Sequence, residues 1–297
     1  MNLVATLISA PTSALDDAAL TRASGVLTSP GQPAWLDPGI AADIPFSGDR
    51  GGDTRLVATR LRAALADLLV DVVVQPAEGR RKHLFLADMD STMIGQECID
   101  EMADFVGKKA EVSAVTERAM RGEIEFAPAL RARVALLKGL PEKVVDEVIA
   151  ERITLTPGGR TAISTMRAHG AYTALVSGGF TLFTDRIAKT IGFDEARGNV
   201  LLVKDGLLTG EVADPIFGRD AKRAALIELR TKLKLQSADT LATGDGANDL
   251  DMISEAGLGV AYHAKPAVAA AAGACIDNGD LTALLYMQGY RRAEFVA

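Results

Sequence analysis

Four short runs in the later part of the chain are apolar at nearly every position rather than at alternate ones: Leu84–Ala87, Tyr172–Val176, Thr240–Ala242 and Leu258–Ala261. A strand with one wet face alternates apolar and polar residues, whereas a strand apolar throughout is covered on both faces. Between these runs lie stretches with helical apolar spacing, Arg160–His169, Leu182–Ile191, Asp220–Leu233 and Asp249–Ala256. Few architectures accept buried strands alternating with amphipathic helices. The pattern predicts an α/β fold built on an open, doubly wound parallel sheet. Asn199–Val212, with Lys204-Asp205-Gly206 between apolar flanks, reads as a hairpin outside that alternation.

Residues 1–80 carry a different pattern. Leu3–Ser9 reads as a strand, Leu15–Leu27 as a helix with Ser13 available as its cap, Arg55–Leu69 as a helix, and Val72–Val74 as a further strand. The Gly-, Pro- and Asp-rich stretch Ser29–Asp53 predicts turns around one short strand, near Ala34–Asp37 or Ile40–Phe46. This is the β-α-β-α-β order of a small α/β sandwich. The polar run Pro76–Lys82 reads as a linker to a core of residues 81–297. Within that core, about 95–155 holds only helical stripes: Ile99, Met102 and Val106; Val112, Val115 and Ala119; Leu130, Val134 and Leu137; Val144 and Val148. Gly107, Gly122 and Gly139-Leu140-Pro141 separate them. Four short helices inserted after the first core strand predict a small helical cap over the sheet's edge.

The bulk chemistry narrows the partners. A net charge of -7 and a pI near 5.1 argue against nucleic-acid binding, which calls for a basic face. Cys98 and Cys275 are far apart and form neither a disulfide framework nor a zinc motif. The N-terminal apolar run lacks a basic stretch ahead of it, and Ala267–Ile276 is too short to span a bilayer. A soluble, cytoplasmic protein is expected, with no membrane partner.

In an open parallel sheet, ligands gather outside the carboxyl ends of the strands. Three polar clusters fall at such ends: Asp88 and Asp90 after the first core strand, Ser177-Gly178-Gly179 after the next, and Gly244-Asp245-Gly246-Ala247-Asn248-Asp249 after the third. Carboxylates brought together repel unless a cation sits among them, and all-oxygen ligands suit Mg²⁺. A Ser-Gly-Gly turn offers a hydroxyl and unhindered amides to phosphate oxygens, and Lys222 adds a positive charge. Phosphoryl transfer needs charge neutralisation and in-line positioning above all. An aspartate can attack phosphorus, and a second carboxyl two residues on can protonate the leaving oxygen. These residues point to Asp88 as nucleophile and Asp90 as acid/base. Each motif alone has a bland reading: Asp-x-Asp as a capped turn, Gly-Asp-Gly and Ser-Gly-Gly as plain turns, Lys222 as a solvated helix charge. Their order and common edge favour the chemical one. His83, His169 and His263 have no partner at ligand spacing and read as surface or packing residues.

Asp88-Met89-Asp90-Ser91-Thr92, Val176-Ser177-Gly178-Gly179-Phe180, Lys222 and Gly244-Asp245-Gly246-Ala247-Asn248-Asp249-Leu250-Asp251-Met252 together resemble the four ordered motifs of the haloacid dehalogenase-like superfamily, and within it the phosphoserine phosphatases. The resemblance spans roughly residues 82–297. It implies a Rossmann-like core with a helical cap, Mg²⁺, and an aspartyl-phosphate intermediate. It implies metal ligation by Asp88, the Asp90 backbone carbonyl and Asp245, supported closely by Asp249, with Asn248, Ser177 and Gly178 holding phosphate oxygens. Glu97 matches the family's carboxylate for a substrate ammonium, Arg133 its arginine for a substrate carboxylate, and Met120 and Phe126 its apolar wall. L-phosphoserine, with the last step of serine biosynthesis, is the implied substrate. Without the resemblance, Arg133 reads as a surface helix charge and Glu97 as an acid favoured by a helix N-terminus. The N-terminal residues loosely resemble an ACT-like regulatory domain, with serine as a feedback ligand. Two other readings stand beside this one: a related enzyme passing the phosphoryl group to another acceptor such as homoserine, and a serine-sensing regulatory protein with a vestigial core.

Overall fold

A computed structural model describes the chain over residues 2–48 and 53–296. It begins with β1 (Asn2–Ser9), α1 (Asp17–Ser24), β2 (Ala34–Asp37), β3 (Ala41–Ser47), α2 (Thr54–Ala64) and β4 (Val70–Pro76). These strands form one antiparallel sheet in the order β2-β3-β1-β4. Both candidate strands of the turn-rich stretch therefore exist, joined by a Pro38-Gly39 turn in which Gly39 takes φ +81. The element order becomes β-α-β-β-α-β, that of a ferredoxin-like sandwich. Helix α1 is capped by Asp16 rather than Ser13: the Asp16 carboxylate accepts the Ala19 amide at 2.8 Å. Positions 49–52 of the turn-rich stretch lie outside the described residues.

One face of this sheet packs on its own helices, with Leu3, Ala5 and Leu7 against Leu20, Leu61 and Leu65. Its other face presents Ile8 and Val73 to the core of the larger unit. Both faces are covered, which accounts for the near-continuous apolarity of β1 and β4.

The larger unit comprises β5 (Leu84–Ala87), α3 (Cys98–Asp104), α4 (Lys109–Met120), α5 (Phe126–Ala135), α6 (Val144–Glu151), α7 (Gly159–Ala168), β6 (Tyr172–Phe180), α8 (Thr181–Ile191), β7 (Glu195–Asn199), β8 (Leu201–Lys204), β9 (Leu207–Val212), α9 (Arg219–Lys232), β10 (Thr240–Gly244), α10 (Leu250–Glu255), β11 (Leu258–Tyr262), α11 (Pro266–Ala271), β12 (Ala274–Ile276) and α12 (Ala283–Met287). Six strands pair in parallel in the order β12-β11-β10-β5-β6-β7. Alternate residues of β5 enter opposite layers: Phe85 and Ala87 join the cluster containing α7 and α8, while Leu84 and Leu86 meet Leu226 and Leu229 of α9 and Met252 of α10. The chain winds from β5 outward to β7 on one side and from β10 outward to β12 on the other, so β5 and β10 flank the switch point. Sequence patterning did not reveal β7 and β12, because β7 is largely polar and β12 is three residues long.

Helices α3–α6 form the inserted cap, closed off by a bridge between Ile94 and Leu155. Hairpin β8–β9 braces it from the side: the Gly139 amide donates to Leu208 O at 2.8 Å, and the Leu208 amide returns to Leu140 O at 2.9 Å.

The stretch read as a linker is tied down by Arg80. Arg80 pairs with Asp43 at 2.6 Å and donates to the Tyr286 and Met287 carbonyls, both at 3.2 Å. Nearby, the buried Asp71 of β4 accepts the amides of Asp277 at 2.9 Å, Asn278 at 3.1 Å and Gly279 at 2.9 Å, and the Asn278 side chain at 2.9 Å. Removing that carboxylate would strand several donors between the two units. Asp71→Ala should lower stability by about 2–4 kcal/mol, read as a lower denaturant midpoint; an unchanged midpoint would mean that other contacts hold loop 277–279.

Candidate active site

The ends of β5 and β10 bring the first carboxylates together, with the Asp88 amide bonded to Thr243 O at 3.0 Å. After Asp88 the chain does not continue straight. Over Met89–Met93 it makes one irregular turn in which Asp90 stays extended and Ser91 takes φ 56, a left-handed conformation uncommon for a residue with a Cβ. That reversal sends Asp90 towards β6. Asp90 Oδ1 accepts the Cys98 amide at 2.9 Å, and Oδ2 accepts the Ser177 hydroxyl at 3.2 Å. Strand β6 itself runs on through Ser177-Gly178-Gly179, with its register against β7 broken between Val176 and Phe180. The glycines there answer to space: a Cβ on Gly179 would lie 2.7 Å from Asp90 Oδ2, and one on Gly178 2.7 Å from Cζ of Phe126 in the cap.

Lys222 enters from α9 with its side chain fully enclosed. Its Nζ donates to Asp88 Oδ1 at 2.5 Å and to Asp249 Oδ1 at 2.7 Å. The other Asp249 oxygen accepts the amides of Asp245 at 3.2 Å and Gly246 at 3.1 Å, while Asp245 Oδ1 accepts the Thr92 hydroxyl at 3.0 Å. A Cβ on Gly244 would sit 2.3 Å from Asp249 Cγ, so only glycine lets that carboxylate tuck under the strand end. One oxygen from each of Asp88, Asp245 and Asp249 falls within a 4.8 Å cluster.

One ammonium thus contacts two of the three carboxylates in this buried cluster. Burial is the largest influence on Lys222 and opposes its charge, yet the charges of Asp249 and Asp88 and their hydrogen bonds hold its pKa above the ordinary value. Burial, followed by the charge of Asp249, pushes the Asp88 carboxyl well above its usual range against the pull of Lys222. Asp245 is raised well above that range by burial and by the charges of Asp249 and Asp88. Asp90 is raised as well, by burial, against the hydrogen bonds it accepts. The cluster is short of positive charge, its donors are hard oxygens, and a divalent cation fits both conditions.

A cleft opens from Asp88, Asp90 and Ser177 towards the cap. Glu97, Met120, Phe126 and Arg133 line its far side, together with Ile99 and Leu130, and Asn248 closes one flank. The Asn248 Oδ1 atom is buried with no hydrogen-bond partner among the described residues. Glu97 accepts the Ser91 hydroxyl at 2.8 Å, and burial followed by the charges of Asp90 and Asp245 raises its pKa well above the usual range. Arg133 is buried, not a surface charge; its Nε donates to Ala129 O at 3.1 Å and its Nη1 to the Thr116 hydroxyl at 2.7 Å. Burial lowers its pKa, opposed by the charges of Glu97, Asp100 and Asp90. The fold therefore brings every sequence-predicted site residue to one cleft and its floor.

Residues 85–254 match the sequence profile of the haloacid dehalogenase-like hydrolases. The chain belongs to that family. Over 223 residues it is 47% identical to a phosphoserine phosphatase of Polaromonas sp., a match covering 73% of this chain and 94% of that protein. A haloacid dehalogenase family hydrolase from Salmonella enterica serovar Typhi superposes with a TM-score of 0.85 at 28% identity, covering 96% of this chain and 98% of that one. A solved phosphoserine phosphatase in the form of a phospho-aspartyl intermediate analogue superposes with a TM-score of 0.66 at 41% identity, over 69% of this chain and 98% of that one.

Within this haloacid dehalogenase-like site, sequence reading passed over four polar side chains. Ser91 and Thr92 reach Glu97 and Asp245 through a turn whose left-handed residue no pattern foretells. Thr116 and Asp100 face each other across α4 and α3 at 2.7 Å. Thr116 did leave a trace, since it is the polar member of the buried stripe Val112, Thr116, Ala119, Met120. The histidines stay outside the cleft: His83 is exposed at the opposite end of β5, while the His169 and His263 rings bond the Thr165 and Gly279 carbonyls at 2.9 and 3.1 Å. Among the described residues, no helix is long and apolar enough to cross a membrane.

Raised carboxyls keep protons in the folded chain that the unfolded chain gives up. Their contribution to stability is present below the ordinary carboxyl range and is lost as pH climbs through the raised values. With divalent cations chelated, the thermal midpoint should fall as pH rises above the ordinary carboxyl range, and fall less in Asp245→Asn. Equal falls by calorimetry would remove this cluster from the dependence.

Proposed function

We propose that this hydrolase cleaves L-phosphoserine to L-serine and phosphate through a phosphoryl group carried on Asp88. The observation that carries the reading is the pair Glu97 and Arg133 across the cleft from Asp88 and Ser177. A phosphorylated amino acid presents a phosphate, an ammonium and a carboxylate, and the cleft answers each with a group of matching chemistry. Arg133 can take a carboxylate on its planar fork, Glu97 an ammonium, and Met120 and Phe126 the short methylene between. The relatives named above as phosphoserine phosphatases support the same substrate.

Magnesium bound by Asp88, the Asp90 carbonyl and Asp245 would supply positive charge to the phosphate oxygens. The remaining work falls to the chain. Lys222 orients Asp88 and offsets its charge, Asp249 holds Lys222, and Ser177, the Gly178 amide and Asn248 hold the non-bridging oxygens. The Asp88 carboxylate forms a bond to phosphorus as the bond to the serine oxygen breaks, and Asp90 gives that oxygen its proton. Its raised pKa suits it to carry that proton. Asp90 then takes a proton from water, the water oxygen bonds to phosphorus, and the Asp88–phosphorus bond breaks to release phosphate. The phospho-aspartyl analogue of the solved phosphatase supports this route.

Asp88→Asn should lower Mg²⁺-dependent phosphate release at least about 1,000-fold; near-normal turnover at saturating Mg²⁺ would assign the nucleophile elsewhere. Arg133→Ala should cut kcat/KM for O-phospho-L-serine about 100-fold, with a much smaller loss on O-phosphoethanolamine, which lacks the carboxylate. Matching losses on both esters would refute Arg133 as the carboxylate reader.

A further inference from the structure

Arg133 is buried, yet no carboxylate stands within ion-pair distance of it among the described residues. Its two anchors are neutral: the Ala129 carbonyl at 3.1 Å and the Thr116 hydroxyl at 2.7 Å. Behind that hydroxyl stands a buried carboxylate, Asp100, whose Oδ1 accepts from Thr116 at 2.7 Å. Thr116 has one proton to give. Asp100 is nearer than the alternative acceptor, the Val112 carbonyl at 3.1 Å, and an ionised acceptor makes the stronger bond. The hydroxyl lone pairs then remain for Arg133. The chain of bonds has one direction, guanidinium to hydroxyl to carboxylate.

A guanidinium and a carboxylate enclosed together ordinarily close into a bidentate pair. Such a pair here would occupy the fork that a substrate carboxylate requires and cancel the charge that attracts it. With Thr116 interposed, Asp100 still favours the charged form of Arg133 through space, but the fork stays open on the cleft side. Thr116 is buried on the same helix face as Val112 and Ala119.

We propose that Thr116 is a positioning residue for substrate selection, standing between Arg133 and Asp100 so that Arg133 is held in place and free to bind the carboxylate of a phosphorylated amino acid. This rests on the reading of Arg133 given above and adds the device that keeps it available.

Thr116→Val removes the hydroxyl at nearly constant shape, and Thr116→Ser keeps it. The measurement is the ratio of kcat/KM for O-phospho-L-serine to that for O-phosphoethanolamine in the full-length enzyme with Mg²⁺. Thr116→Val should lower that ratio about ten-fold, chiefly through a higher KM for phosphoserine. Thr116→Ser should hold it within about two-fold of wild type. A Thr116→Val ratio at the wild-type value, with both esters declining together, would overturn the proposal, because a packing defect alone acts on both. Equal losses of the ratio in the Val and Ser variants would overturn it too. A wild-type ratio near one would fail the substrate reading itself and take this inference with it, whereas a high wild-type ratio that Arg133→Ala abolishes and Thr116→Val preserves would fail this inference alone.

Discussion

The ammonium of Lys222, shut away from water between Asp88 and Asp249, is the interaction around which the site is arranged. A buried charge survives only with close, well-oriented opposite charge. The two contacts at 2.5 and 2.7 Å supply it. They tie together α9, the end of β5 and the segment after β10, which are remote in sequence and adjacent only because the parallel sheet reverses its winding between β5 and β10. The fold thus explains why the charges meet, and the charges explain why these strand ends cannot drift apart. One lysine still leaves three acids under-compensated. That deficit, rather than any single motif, makes the cluster one that a cation fits.

Close approach sets the glycines around this centre. At Gly244 and Gly179 the backbone conformation asks for nothing unusual, but a Cβ would overlap a carboxylate that has to be there. The one left-handed residue of the nucleophile loop is Ser91, not a glycine, and its hydroxyl is spent on Glu97. The carboxylates of Asp90 and Glu97 are therefore linked through a single turn of backbone. Asp90 faces Ser177 on one side of that turn, while Ser91 holds Glu97 on the other.

Much of this was legible in the chain before folding, for physical reasons that differ by element. Strands β5, β6, β10 and β11 announced themselves because burial on both faces forbids polar alternation, and Asp88, Ser177 and Asp245 followed from their places at those strands' ends. Strand β7 stayed hidden because it lies at the sheet's edge, where half-exposed Glu195 and Arg197 can pair with each other at 2.8 Å. The polarity of the connecting run Pro76–Lys82 showed nothing of its contacts, in which Arg80 spends its polarity on Asp43 and two backbone carbonyls. Arg133 without its family resemblance reads as a surface charge, since nothing in a helical stripe tells an arginine facing a cleft from one facing water. Contacts such as Thr116 to Asp100 are matters of how helices cross, and spacing along one helix carries only half of that information.

The division of labour between core and cap has a consequence for selectivity. On the proposed function, the groups that would handle phosphate hang from the parallel sheet and are braced by Lys222 and by backbone amides, away from whatever the phosphate is attached to. The groups proposed to tell one ester from another, Glu97 and Arg133, belong to the inserted cap, and the cap meets the end of β6 where Phe126 lies over Gly178. A substrate carrying both charges would draw the cap's acid and guanidinium onto itself and so press Phe126 over the cradle, excluding water while the phosphoryl group is in transit. An ester without those charges would reach the same nucleophile beneath a cap with less to hold it down. On that proposal, recognition of the amino-acid end and protection of the phosphoryl end would be one packing event.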